Sequence, residues 1–184
     1  MCRSGPLSDD QRGHLTEGLR SYDPHGHYDE VFDQVGARVR AHASAGKCDI
    51  GAIVFWKRIP QGRWSLDFLQ QADDAVHSIT AAAFSAGLTD KQRLVELAVL
   101  PGFKTQMASV ASAVLAAWDP ENYPVTDRRA RPSLRRFLDD DCECDLRKYP
   151  IYAQWVRHLR DDLNVAPSPH WSARDVDKAL YKLG

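Results

Sequence analysis

The residues best suited to chemistry in this sequence are Asp127 and the two arginines after it, Arg128 and Arg129. A carboxylate that lies beside guanidinium groups and just ahead of a helix is favoured in its ionised form. Such a carboxylate can stabilise positive charge that develops in a transition state, and it can help to activate water. The same position also suits a helix cap with no chemical role, because aspartate accepts hydrogen bonds from the first amides of a helix. The sequence leaves both interpretations open.

A second candidate site is the turn formed by Pro101 and Gly102. Proline has no amide hydrogen and glycine permits positive φ, so this pair ends one helix before another begins. The amides at the start of the second helix could bind a phosphate, and they belong to Gly102, Phe103, Lys104 and Thr105. Lys104 could add an ion pair with that phosphate, or it could block the close approach of the backbone. The sequence does not decide between these two roles.

A third candidate is the run Trp56, Lys57 and Arg58. An aromatic ring followed by two cations could place Trp56 in a base pocket and Lys57 and Arg58 against DNA. The alternative is a core tryptophan followed by the cationic C-terminus of a helix, which the helix dipole favours.

Two short patterns could bind metal, but each has a simpler interpretation. The histidines at 25 and 27 have no cysteine or carboxylate partner at the usual metal spacing, so we expect solvated loop residues. Cys142 and Cys144 lie in a run of acidic residues, and we expect a solvated acidic loop. No metal and no cofactor is therefore predicted.

The elements that must position these residues are helices, because apolar residues recur at three- and four-residue spacing through most of the chain. The predicted helices are Asp29–Ala45, Cys48–Ile59, Ala72–Ala86, two hairpin helices from Asp90 to Trp118, one starting at Arg131 or Pro132, Tyr149–Leu163 and one capped by Ser172. Residues 8–20 could hold a further short helix. In the helix from Asp29, the residues expected to face the core are Val31, Phe32, Val35, Val39 and His42.

The segment Cys48–Ile59 suits a strand by residue propensity and a helix by spacing. No second strand-like run could pair with it, so we predict a helix and an all-α fold of seven or eight helices. Residues 1–27 contain few large apolar residues, and we predict a poorly structured segment. Residues 28–184 are predicted to form a single all-helical domain, with the hairpin at about residues 89–118.

Two segments resemble the helix-hairpin-helix (HhH-GPD) DNA glycosylase superfamily, in particular its 8-oxoguanine-glycosylase-like members. Residues 100–108, with sequence LPGFKTQMA, resemble the hairpin, and residues 123–129, with sequence YPVTDRR, resemble the segment that carries the catalytic aspartate. The resemblance implies a glycosylase-like helical bundle, with Asp127 as the catalytic carboxylate and the hairpin amides on a DNA phosphate.

The resemblance also bears on the type of glycosylase. Bifunctional members carry a lysine nucleophile at the position of Gln106, so no Schiff base and no lyase step is expected here. Gln106 could instead hydrogen-bond a base edge, or it could be an ordinary polar helix residue. The four-cysteine loop of some members is absent, which implies that there is no iron–sulfur cluster. The resemblance therefore implies a monofunctional glycosylase that acts on a damaged or modified base in double-stranded DNA.

Two other functions remain open. One is a catalytically inactive protein on the same scaffold that binds DNA or recognises a modified base. The other is a helical interaction domain without nucleic acid, which the near-balance of 24 basic and 25 acidic residues allows. The basic residues do cluster locally, at residues 57–58 and again at residues 128–136.

Composition excludes some other classes of protein. No apolar run approaches the roughly 18 residues of a membrane span, so no membrane partner is expected. Four cysteines do not form the disulfide framework of a small secreted domain, and the first residues lack the apolar core of a signal peptide. We expect a cytoplasmic protein that acts as a monomer.

Overall fold

The computed structural model describes residues 5–22, 27–103, 108–139, 142–165 and 169–184. In these residues the chain forms ten α-helices and no strand, which confirms the predicted all-α class. The helices are α1 Asp9–Arg20, α2 Tyr28–His42, α3 Lys47–Trp56, α4 Arg63–Leu69, α5 Asp73–Phe84, α6 Asp90–Leu97, α7 Ala108–Trp118, α8 Ala130–Arg135, α9 Tyr149–Leu163 and α10 Ala173–Leu183. The helix predicted for Cys48–Ile59 is therefore confirmed, and it ends three residues earlier, at Trp56.

The chain divides into two compact units. Pro24–Asp119 forms one, which we call the hairpin unit, and Met1–Asp23 with Pro120–Gly184 forms the other, which we call the aspartate unit. The sequence did not predict a boundary between Asp119 and Pro120. It also did not predict that α1 belongs with the helices from α8 to α10.

The hairpin unit is built around α7. Its sequence of small and β-branched residues is buried almost throughout, and Val114 and Leu115 are fully covered. Helices α2, α3 and α6 pack against α7. Gly36 of α2 permits close contact, because a Cβ atom at that position would lie 3.0 Å from the carbonyl oxygen of Ala117.

Helix α2 differs from the prediction in its C-terminal end and in the residues that it buries. It ends at His42 rather than Ala45, because Ala43 takes a left-handed conformation with φ of 50°. Val31 is 39% exposed, and His42 is exposed with its Nδ1 atom 2.8 Å from the carbonyl oxygen of Arg38. The buried residues of α2 are instead Asp29, Phe32, Val35, Gly36 and Val39.

Helix α4 was not predicted. It has seven residues, of which only Phe68 is buried, while Leu66 and Leu69 are each 63% exposed. Sequence periodicity detects a helix through its buried face, and α4 has almost none.

The aspartate unit is built around α10, which packs against α1, α8 and α9. Gly18 of α1 lies close to α10, since a Cβ atom there would be 3.0 Å from the carbonyl oxygen of Ala179. Helix α8 begins at Ala130, one residue before the predicted start, with Pro132 in its first turn where a missing amide hydrogen is tolerated. No described helix has the length and apolar character needed to traverse a bilayer.

Candidate functional site

The segment that leads into Asp127 is anchored by two buried side chains. The Val125 amide donates a hydrogen bond to the Asp177 carboxylate at 3.3 Å, and the Tyr149 hydroxyl donates to the Pro124 carbonyl at 3.1 Å. Asp177 is 1% exposed and Tyr149 is 2% exposed. Helices α9 and α10 therefore fix the backbone just before the candidate catalytic residue.

The buried carboxylate of Asp177 has further donors. Arg174 forms an ion pair with Oδ2, and the Tyr152 hydroxyl donates to Oδ1 at 3.3 Å. Burial, and then the charge of Asp177, raises the pKa of Tyr152 well above its usual value, so its hydroxyl remains a donor. A buried charge needs such partners, and this network supplies them. No local sequence pattern predicts this network, because Asp177 and Val125 are 52 residues apart.

Asp127 is half-buried at the start of α8. Its Oδ1 atom accepts a hydrogen bond from the Arg129 amide at 2.9 Å, and its carbonyl oxygen accepts from the Arg131 amide at 3.3 Å. This side-chain bond forms an Asx turn ahead of α8, whose N-cap is Arg129 without a side-chain cap. A carboxylate has about four lone-pair sites, so this hydrogen bond is compatible with a further chemical role.

The arginines near Asp127 point to two different places. Arg129 donates to the Tyr181 hydroxyl at 3.4 Å and lies over the Tyr181 ring, and Arg136 donates to the Leu183 carbonyl at 3.2 Å. Both contacts are with α10. The other arginines line a cleft of about 360 Å³, which we call the arginine cleft; its walls are Arg128, Arg131, Pro132, Arg135, Cys144, Leu146 and Arg147.

The first helix of the hairpin, α6, and the turn that follows it form as predicted. Thr89 and Gln92 make the expected capping box at the start of α6. Gly102 has a φ of +86°, and the Phe103 amide donates to the Leu100 carbonyl at 3.1 Å, so the turn itself uses this amide. The Phe103 side chain is 1% exposed. The predicted phosphate and base contacts at Lys104, Thr105 and Gln106 lie outside the described residues.

Trp64 of α4 covers the hairpin glycine, a contact that no local sequence pattern predicts. A Cβ atom on Gly102 would lie 2.4 Å from a carbon of the Trp64 ring. Glycine is therefore required here by the close approach of an indole as well as by its positive φ.

Trp56 occupies the core position that was the alternative to a base pocket. It is 5% exposed, and its Nε1 atom donates to Asp29 at 3.2 Å. Its ring packs against Phe32, with ring centroids 4.4 Å apart. Lys57 is half-buried with Nζ 5.9 Å from the Trp56 ring centroid, and the exposed Arg58 lies over the Tyr28 ring at 5.1 Å.

The described residues contain no group of three or more histidine, cysteine or acidic side chains that could hold a metal. His27 is exposed and pairs with Glu30 at 2.8 Å, and that hydrogen bond raises the pKa of His27. Cys142 is 3% exposed, which corrects the expectation of a solvated loop; its sulfur lies 2.9 Å from the sulfur of Cys144. Cys48 and Cys144 are free thiols.

Comparison of the chain with family models, with curated proteins and with solved structures found no match.

Proposed function

We propose that this protein binds double-stranded DNA and acts as a monofunctional glycosylase, with Asp127 as the catalytic carboxylate. The observation that supports this proposal is the position of Asp127 beside the arginine cleft: its carbonyl oxygen is 3.4 Å from Nε of Arg131, which lines the cleft. A carboxylate and a group of guanidinium side chains thus occur on one short segment, whose backbone is held by Asp177 and Tyr149.

Each part of the site has a role in this reaction. The target base leaves the duplex stack, because a glycosylase acts on an extruded nucleotide. The C1′–N bond then breaks, and the Asp127 carboxylate stabilises the oxocarbenium-like sugar as carboxylates do in glycoside hydrolysis. Water supplies a hydroxyl group to C1′ and a proton to the departing base. The products are a free base and an abasic site in an intact strand.

The cationic side chains supply the affinity for DNA. Arg128 and Arg129 flank the reacting sugar in this proposal and neutralise backbone phosphates, which is the main source of sequence-independent affinity. In the hairpin unit, Gly102, Lys104 and Thr105 contact a phosphate of their own in this proposal, whereas the Phe103 amide stays bonded within the turn. Gln106 has no amine, so no covalent imine forms with the sugar.

A second function is favoured by one specific contact. The hydrogen bond from the Arg129 amide to Asp127 gives this carboxylate a structural purpose that needs no chemistry. With that purpose alone, the protein would be a catalytically inactive DNA-binding or modified-base-recognition protein.

Base release from duplexes that carry damaged or modified bases distinguishes the two functions, with abasic products revealed by alkaline cleavage. The informative variant is Asp127→Asn, because asparagine keeps an oxygen that can accept from the Arg129 amide and removes the charge. The control is Asp10→Asn, which removes an exposed carboxylate of α1. Base release by the wild type and by the control, but not by Asp127→Asn, supports the glycosylase. Equal release by all three proteins would exclude Asp127 as the catalytic residue. Duplex binding without release from any substrate would favour the second function.

A further inference from the structure

The arginine cleft has the composition of an anion site. Arg131 and Arg135 lie four residues apart on α8 and so share one face of the helix, and Arg128, in the turn just before α8, lines the same cleft. Arg147 enters from the loop before α9 and completes the cationic lining. Guanidinium groups suit phosphate because their planar N–H groups match two oxygens at once.

The charge balance inside the cleft is positive. Arg147 pairs with Asp145 at 2.9 Å, and this hydrogen bond holds the pKa of Asp145 below its usual value. Within the described part of the chain, no carboxylate forms an ion pair with Arg128, Arg131 or Arg135. Three guanidinium groups therefore remain to balance the charge of a ligand.

Charge and size together define the ligand class. An internal phosphodiester of DNA carries one negative charge, whereas a phosphomonoester carries up to two at neutral pH. The volume of about 360 Å³ is at the lower end of the range of roughly 300–1,000 Å³ for small-molecule pockets. It exceeds the space that a bare ion needs. Pro132 and Leu146 add an apolar wall for the group that bears the phosphate.

We infer that the arginine cleft binds a phosphomonoester dianion, either the 5′-phosphate at the end of a DNA strand or that of a free nucleotide. This site goes beyond the proposed glycosylase function, because it requires neither Asp127 nor the hairpin. A strand-end phosphate site would bring the protein to nicks and breaks.

Cys144 provides a direct probe of occupancy. Its free thiol lines the cleft, 3.6 Å from Nη1 of Arg135, while the exposed free thiol of Cys48 belongs to the hairpin unit. The experiment compares iodoacetamide alkylation of the two thiols by peptide mass spectrometry at constant ionic strength. The additions are deoxyadenosine 5′-monophosphate, deoxyadenosine, and one short duplex with and without a 5′-phosphate.

We expect the monophosphate to slow alkylation of Cys144 several-fold, with no effect on Cys48 and none from deoxyadenosine. Protection by the 5′-phosphorylated duplex but not by its 5′-hydroxyl form identifies a strand-end site. Protection by the free monophosphate alone identifies a nucleotide site, and both results support the inference. Equal protection by the two duplexes, or no protection by any phosphate, overturns it.

A pair of adjacent arginines gives an independent measurement. Arg135→Gln removes a guanidinium group from the cleft, so calorimetry should show the affinity for the monophosphate falling by about tenfold or more. Arg136→Gln removes the same charge one residue later, from a side chain that donates to the Leu183 carbonyl, and should leave that affinity nearly unchanged. Equal affinities for the two variants would contradict the inference, because they would show that the arginines act only through the net positive charge of the protein. Base release does not enter either measurement, so failure of the glycosylase proposal would be seen separately.

Discussion

The Asp177 carboxylate lies 3.3 Å from the amide of Val125, two residues before Asp127. A buried ion pair on α10 thus holds the backbone that presents the candidate catalytic residue. The Asp177 carboxylate accepts hydrogen bonds from Val125 and Tyr152 and also forms an ion pair with Arg174. Removing this one side chain should affect both the stability of the aspartate unit and the position of Asp127.

Asp177→Ala should lower the free energy of unfolding by about 3–5 kcal/mol, because it removes a buried carboxylate that pairs with Arg174 and accepts from Val125 and Tyr152. Urea denaturation measures this loss. Asp145→Ala is the control, since it breaks an Arg–Asp pair with Arg147 at the surface and should change stability very little. A small loss for Asp177→Ala, similar to that of the control, would show that the network does not stabilise this unit.

The raised pKa of Tyr152 predicts that the folded protein loses stability at alkaline pH. Burial raises its pKa in the folded protein above the ordinary value of 10.0, so the unfolded chain releases the phenolic proton first. Unfolded protein then binds fewer protons than folded protein, and stability falls as pH rises above about 10. Below that pH the contribution of Tyr152 is fully present.

Tyr152→Phe should remove this alkaline loss and, at neutral pH, cost about 1.5–3 kcal/mol for the hydrogen bond to Asp177. The measurement is urea unfolding at neutral pH and at a series of alkaline pH values. Tyr181→Phe, which changes a tyrosine at the edge of α10, is the control and should retain the alkaline loss. An unchanged pH profile in Tyr152→Phe would contradict the assignment.

A substitution at Arg128 tests DNA binding independently of catalysis. Each phosphate contact contributes about 0.9 to the slope of log affinity against log salt. Arg128→Gln should therefore weaken duplex binding and reduce the magnitude of that slope by about 0.9, measured by fluorescence anisotropy at several salt concentrations. Arg20→Gln changes an exposed arginine on α1 that pairs with Glu17 and should leave the slope unaltered. Identical slopes for the two variants would show that Arg128 does not contact a DNA phosphate.

Helices with a strong apolar face were the part of this fold that sequence could predict. The α9 bounds from Tyr149 to Leu163 and the capping box of α10 at Ser172 match the prediction, because local spacing and capping determine both. Helix α4 escaped prediction because two of its apolar residues face solvent. The site depended on contacts that sequence does not encode locally, such as Asp177 with Val125 and Trp64 with Gly102.

In the basic run at residues 128–136, the sequence likewise predicted the charge but not the contacts of each side chain. Its composition predicted a local positive charge, but the role of each arginine depends on the direction in which it leaves α8. Arg129 and Arg136, seven residues apart, contact α10, whereas Arg131 and Arg135 line the cleft. Helical spacing separates these two faces, and the packing of α8 on α10 determines which face is covered.

Gly102 and Gly87 form a matched pair for testing the packing of the hairpin turn. Both have positive φ, +86° and +79°, so alanine at either position should cost about 1–2 kcal/mol in backbone strain. A Cβ atom at Gly87 meets nothing within 4 Å, whereas at Gly102 it lies 2.4 Å from the Trp64 ring.

Gly102→Ala should therefore destabilise the protein more than Gly87→Ala, because the rigid indole must also move. Urea denaturation of both variants measures the difference, which isolates the contact with Trp64 from the strain that the two positions share. In a Trp64→Ala background the cost of Gly102→Ala should fall to that of Gly87→Ala, since only the strain then remains. If the two glycines cost the same in the presence of Trp64, the indole does not constrain the turn. The hairpin would then owe its shape to backbone preference alone.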